Sequence, residues 1–252
     1  VSFLSLPLLD IDFLKPQRMA FDVDGNAIGG GRNGNGQEKT MEISGGGFLT
    51  ATYGGCFVQA PEEHEYVTWL AARLNGSFRF VDVPLKTDWQ GPFPTFGRWP
   101  QPIIGGIPHS DGSHFSDTSG YSQATVWGAI TQAAPQGAGV LQMRVYGASR
   151  RLRWSDWFSI YHATAKGWRA YRYWDVITTS GEGSETIEGT AFAYRDYQLA
   201  IGPALREAVS AGTRVEFARP RFAAKLSLGT KILSDVEGFW LMRPTLTFDE
   251  AF

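Results

Sequence analysis

Apolar and polar residues alternate with a period of two along much of this chain, the signature of half-buried β-strands. Leu141, Met143 and Val145 alternate with Gln142, Arg144 and Tyr146. Val215 and Phe217 alternate with Arg214 and Glu216, and Leu246 and Phe248 with Thr245 and Thr247. Aromatic and β-branched residues crowd 168–177, which suits a pleated surface. There Trp168, Tyr171, Tyr173 and Trp174 read as core and cross-strand pairs. Glycine-rich stretches punctuate these runs. The longest, Gly29-Gly30-Gly31-Arg32-Asn33-Gly34-Asn35-Gly36, can supply several positive-φ positions and reads as a hairpin tip or mobile loop.

One segment follows the helical period instead. Pro61 suits a first helical turn, and Glu62, Glu63 and Glu65 put negative charge at the positive end of the dipole. Val67, Leu70, Ala71 and Leu74 then form an apolar stripe, and Asn75-Gly76 is a stop signal, so a helix is predicted over 61–75. Strand-like runs at 48–58 and 78–83 flank it. A second, shorter helical turn is predicted over 204–209.

Between Lys86 and Gly139 the pattern breaks down, with prolines at 92, 94, 100, 102, 108 and 135 among many Gly and Ser residues. Structureless loops longer than about 15 residues are uncommon inside a compact domain, so this stretch reads as an elaborated insertion or a domain junction, with a strand near 124–130. The organisation expected is an N-terminal β unit over 1–88, an irregular segment over 89–136 and a C-terminal β unit over 137–252. In the alternative arrangement, the two outer segments form one continuous core.

A length of 252 residues allows one large all-β unit or two smaller domains. The 43% hydrophobic and 14% aromatic content supports a sizeable core, and a formal net charge of −2 gives no general case for a nucleic-acid or acidic-membrane surface. The single cysteine, Cys56, excludes an intrachain disulfide and a multi-cysteine zinc site, and reads as a buried free thiol. The opening apolar run is interrupted by Pro7 and Asp10, far short of the roughly 20 residues of a membrane helix. A protein made in the cytoplasm, without membrane insertion of its own, is expected.

His109, Asp111, His114 and Asp117 form the densest set of candidate metal ligands, but their spacing matches no zinc motif, and a solvated loop is favoured. Asp22 to Asn26 lacks the third acidic position and closing Glu of a calcium loop, and reads as a hairpin turn. Glu182, Glu185 and Glu188 invite comparison with the paired carboxylates of glycosidases, although solvated glutamates on a wet strand face are the simpler reading. No Gly-x-Ser-x-Gly elbow singles out a nucleophile. Neither an enzyme nor a cofactor is therefore expected. Trp89, Phe93, Phe96 and Trp99 in the Pro-rich stretch could form an exposed aromatic platform for a protein or sugar, or pin an irregular loop to the sheet.

Leu205-Arg206, Ala211-Gly212-Thr213 and Val215-Glu216-Phe217-Ala218-Arg219-Pro220 together resemble a run near the C-terminus of distal tail-tip proteins of long, flexible-tailed bacteriophages. The glycine-rich turn followed by 48–58 and the helix, the run Trp168 to Tyr173, and the opening and closing runs are similar too. The stretch 89–136 has no counterpart. The resemblance implies a β-sandwich or barrel of the tail-tube type with a flanking helix, assembled in rings that are commonly sixfold. It implies a virion tail-tip location, with tail tube, hub and receptor-binding or fibre proteins as partners and DNA only as passing cargo. In that setting Arg206, Arg219 and Arg221 would sit at strand ends or subunit contacts. A carbohydrate-binding module for host-surface recognition and a β-rich polysaccharide hydrolase are the alternatives.

Overall fold

The computed structural model describes residues 6–25, 27–42, 46–86, 91–154, 156–164, 167–187, 189–230, 232, 236–238 and 240–251. From the N-terminal side come α1 (Ile11–Leu14), β1 (Arg18–Asp24), β2 (Ala27–Arg32), β3 (Glu38–Glu42), β4 (Phe48–Gly54), α2 (Pro61–Leu74) and β5 (Phe80–Pro84). Five strands lie within the stretch read as irregular: β6 (Thr95–Phe96), β7 (Trp99–Pro100), β8 (Ile103–Ile107), β9 (Tyr121–Ala124) and β10 (Trp127–Ile130). Then follow β11 (Val140–Tyr146), β12 (Trp157–His162), β13 (Gly167–Ile187), β14 (Thr190–Gly202), β15 (Arg214–Glu216), β16 (Arg221–Leu226) and β17 (Leu246–Glu250). The protein is mainly β.

Two compact units share the chain, each discontinuous in sequence. One comprises Val1–Leu85, His162–Arg169 and Arg221–Phe252; the other comprises Lys86–Tyr161 and Ala170–Pro220. The continuous segments 1–88, 89–136 and 137–252 divide the chain differently. Much of 89–136 shares a unit with residues beyond 137 because β10 pairs with both β11 and β15.

The first unit is built on a five-stranded antiparallel sheet in the order β1-β4-β17-β16-β5. Leu49, Ala51 and Tyr53 alternate onto the buried face of β4, and Leu246 and Phe248 onto that of β17. The helix forms as the sequence pattern predicts, burying Val67, Leu70 and Leu74. Its N-terminus lacks a capping hydroxyl, since Ala60 is the N-cap, and Glu63 reaches back to accept from the N–H groups of Gln59 (2.7 Å) and Ala60 (3.0 Å). Lys15, just past α1, pairs with the same carboxylate. Burial alone would raise the Glu63 pKa, but the Gln59, Lys15 and Ala60 hydrogen bonds hold it down to about 2.

Beside the sheet, Arg169 is fully buried and pairs with the equally buried Glu250 at 3.4 Å. The other carboxylate oxygen of Glu250 accepts the Leu49 N–H at 3.2 Å. Arg221 lies over the Trp168 ring at 4.3 Å. Asp82 on β5 is buried, and burial pushes its carboxyl up to about 6 against the opposing pull of Arg221 and Arg169.

The second unit is a closed barrel in the order β10-β11-β14-β13-β12-β15. Leu141, Met143 and Val145 point inward from β11 as their alternation predicts, and meet Phe158, Tyr171, Tyr173, Leu199, Val215 and Phe217. Phe158 stacks on Tyr171 at 5.7 Å and lies the same distance from Phe217. The barrel is thus filled by side chains, as a small barrel must be. Three register shifts between β13 and β14, at Tyr173/Asp175, Val176/Thr178 and Ser180/Glu182, let a 21-residue strand bend round the barrel. Gly128 sits where a Cβ would come within 3.1 Å of the Arg144 carbonyl and 3.2 Å of Phe217, so a larger residue would require its neighbours to give by a few tenths of an ångström. Arg150 clamps the buried Asp156 with two hydrogen bonds of 2.9 and 2.7 Å, fixing the connection into β12.

Two local expectations are corrected. Residues 204–209 do not form a helical turn, because the Leu205 and Val209 N–H groups donate to the carbonyls of Ala138 and Ala134. These long-range bonds hold Leu205 and Val209 in the barrel core. Trp174, read as core, is 67% exposed, since it lies at the point where β13 turns from buried to exposed positions.

The buried pair makes a direct prediction. Arg169→Met removes the buried cation paired with Glu250 and is expected to cost about 3–5 kcal/mol in urea unfolding. The two perturbed carboxyls act in opposite directions with pH. The contribution of Glu63 is full above its ordinary value of 4.5 and fades as pH falls towards 2. That of Asp82 is full below its ordinary 3.8 and is lost as pH rises through about 6. Glu63→Gln should therefore lower Tm at neutral pH with the difference narrowing in acid, whereas Asp82→Asn should gain on wild type as pH rises through about 6. Melting curves across that range check both signs.

Candidate functional site

The Pro-rich stretch holds the aromatic residues singled out by sequence, and the structure separates them. Trp89 lies outside the described residues. Phe93 is 3% exposed and belongs to the barrel core, not to a surface platform. Its backbone is held there by Ser149, whose hydroxyl hydrogen-bonds the carbonyls of Pro92 and Phe93 at 3.0 and 2.9 Å. Phe96 and Trp99 remain on the surface, 46% and 66% exposed. They are directly opposed across the β6–β7 hairpin and so share one face, with the Arg98 guanidinium over the Trp99 ring at 5.4 Å.

Phe96 also walls a recess of about 220 Å³. Pro94, Ile104, Ala124 and Phe192 complete its apolar side, and Gln123, Thr125 and Thr190 supply neutral polar groups. The elements that build it are β6, the β8–β9 hairpin and the start of β14. Register places Gln123 opposite Ile104, and the Thr125 hydroxyl is fixed against the carbonyls of Gln101 (2.8 Å) and Pro102 (3.0 Å). Phe192 stands edge-on to Trp127 at 6.3 Å, and Trp127 stacks on Tyr146 at 4.1 Å, so the rear wall is braced by aromatic packing. Sequence reasoning missed Gln123, Thr125, Thr190 and Phe192. Nothing in their local pattern marks them, since they meet only through strand pairing.

Most of the other described candidates have structural partners. His109 and Asp111 lie in one turn, His109–Ser113, and Asp117 in a second of the same design, Phe115–Ser119, with His114 exposed between them. In each, the aspartate accepts from the serine two residues on, hydroxyl at 2.6 Å and N–H at 2.9 or 3.0 Å, which holds both carboxyls below their ordinary range. His109 packs edge-on against Phe115 and Tyr121, both at 4.8 Å. Among the described residues no three His, Cys, Asp or Glu side chains converge as a metal set.

Glu182 pairs with Arg195 at 2.9 Å. Glu185 accepts from the Tyr146 hydroxyl (2.8 Å) and from Arg144 (3.0 Å), which keep its pKa low, whereas a general acid needs a raised one. Glu188 lies outside the described residues. Arg206 is tied through its backbone to the Tyr171 hydroxyl and the Gln136 amide. Arg219 is exposed beside Glu216, and Arg221 turns onto Trp168 with its Nε buried. The Cys56 thiol is buried, and burial pushes its pKa up to about 11, so it is chemically quiet at neutral pH.

Fold and site together define a mainly-β protein with a closed six-stranded barrel and an aromatic-walled recess on the barrel unit. No protein-family model matches the chain, and no curated protein matches it in sequence. No described helix is long and apolar enough to cross a membrane.

Phe93→Ala should cost about 3–5 kcal/mol of stability as a core truncation, whereas Phe96→Ala and Trp99→Ala should stay within about 0.5 kcal/mol of wild type. Chemical denaturation of the three variants measures the difference.

Proposed function

We propose that this chain is a structural component of the tail tip of a long-tailed bacteriophage, a ring subunit of the distal-tail type. It would join the tail tube to the hub and receptor-binding proteins around a passage for DNA. The resemblance in the run 205–220 motivates the reading, and one feature of the fold carries it furthest. The β2–β3 hairpin is a two-stranded sheet of its own, and every side chain of β2 is exposed. Such a ribbon is marginal in water and leaves strand edges open to pairing. Neighbouring copies in a ring would cover it, and head-to-tail contacts that close on themselves generate such rings.

The barrel interior is filled with side chains, so in this reading DNA passes between subunits, not through a barrel. A subunit of this kind needs no catalytic group, and the arginine-paired states of Glu182 and Glu185 fit a role in fixing strands.

The test is assembly. Co-expressed with its tube and hub neighbours, the full chain should enter rings visible by electron microscopy and be present in purified particles. Replacing 27–42 by a short turn should abolish ring formation while shifting Tm by only a few degrees. A chain that remains monomeric beside those partners and is absent from particles overturns the proposal.

A further inference from the structure

We infer that the recess walled by Phe96 and Phe192 is a binding site for one neutral pyranose ring, the end of a glycan chain. The inference goes beyond the assembly role and does not depend on it, since all the residues concerned belong to the barrel unit. The argument rests on size, charge and the arrangement of polar groups. A volume of about 220 Å³ falls below the roughly 300–1,000 Å³ of cavities that hold drug-sized ligands, so it takes a single ring and not an extended peptide.

Its lining carries no charged side chain, which leaves a phosphate or carboxylate ligand without a counter-charge. What it does offer is an apolar wall facing neutral hydrogen-bonding groups. A pyranose is built the same way, with C–H bonds on its faces and hydroxyls round its edge. Neither the Gln123 amide nor the Thr190 hydroxyl is engaged by another described side chain, so both are available to those hydroxyls. Thr125 is different. Its hydroxyl proton is spent on the Gln101 and Pro102 carbonyls, so it can act towards a ligand only as an acceptor.

Trp99 extends the site. It shares a face with Phe96 and is 66% exposed, giving a platform on which the next sugar of a chain can stack. The two aromatic residues thus have separate duties: Phe96 holds the terminal ring, and Trp99 holds the one before it.

Titration of the full chain with the methyl glycosides of glucose, galactose, mannose and N-acetylglucosamine, followed by ligand-observed NMR, tests the site. At least one neutral glycoside should bind, and glucuronic acid should bind at least about fivefold more weakly. Phe96→Ala and Gln123→Ala should each weaken binding about tenfold. Trp99→Ala should weaken a disaccharide of the preferred sugar while leaving its methyl glycoside within about twofold. Phe115→Ala, in the turns outside the recess, serves as the unchanged control. Phe96 is exposed, so its loss leaves the core intact, and a retained Tm confirms folding. The proposal is overturned if none of the four glycosides binds, if glucuronic acid binds equally well, or if affinity survives both Phe96→Ala and Gln123→Ala. Because the measurement is made on the isolated chain, failure to form rings does not affect it.

Discussion

Closure of the six-stranded barrel depends on β15, a strand of three residues that pairs with β10 on one side and β12 on the other. Without that bridge the sheet would have two open edges, and the aromatic cluster around Phe158, Tyr171 and Phe217 would face water. A small closed sheet leaves interior space only for side chains, so the volumes its strands send inward must match. Gly128 shows this constraint, because a Cβ there would press on both neighbouring strands, on the Arg144 carbonyl of β11 and on Val215 of β15. The register shifts between β13 and β14 answer the same demand by bending a strand too long to remain straight.

Charge is handled differently in the two units. In the sheet unit, Arg169 and Glu250 are removed from water together, and their pairing offsets a desolvation cost that neither could bear alone. On the barrel unit, Arg144, Glu185, Asp196 and Tyr146 form a half-exposed network, with Arg144 also over the Tyr194 ring at 3.9 Å. Such partly solvated pairs contribute less individually, but they fix side chains on adjacent strands, and the Tyr146 and Arg144 hydrogen bonds hold the Glu185 pKa down. These paired groups leave the uncharged recess chemically distinct from its surroundings, which favours recognition by shape and neutral hydrogen bonds. Aromatic packing through Phe192, Trp127 and Tyr146 links that recess to the barrel wall, so the site is carried on a rigid support.

Wherever burial follows from local pattern, the sequence was legible. Alternation at 141–146, 214–217 and 246–248 placed the inward residues correctly, and the stripe Val67, Leu70, Leu74 with its Asn75 stop placed the helix. A pattern of period two or 3.6 is a property of neighbouring residues, and burial of one face is enough to enforce it. Local signals failed where distant chain supplied the partner. Residues 204–209 have helical composition, yet their N–H groups found carbonyls near 134–138. Phe93 and Phe96 lie three residues apart in one Pro-rich stretch, yet the first packs in the barrel core, with Ser149 bonded to its carbonyl, and the second stays on the surface.

By itself, then, the sequence determined a mainly-β chain with one substantial helix and a buried thiol, because those features follow from the order of apolar and polar side chains. Tertiary structure alone decided that the chain divides into two interleaved units, that six strands close into a barrel, and that Phe96, Gln123, Thr190 and Phe192 line one recess. Each of these depends on which strand edges meet. Backbone hydrogen bonding is the same for every residue but proline, so strand pairing is chosen by how the whole core packs and is not written in any local run.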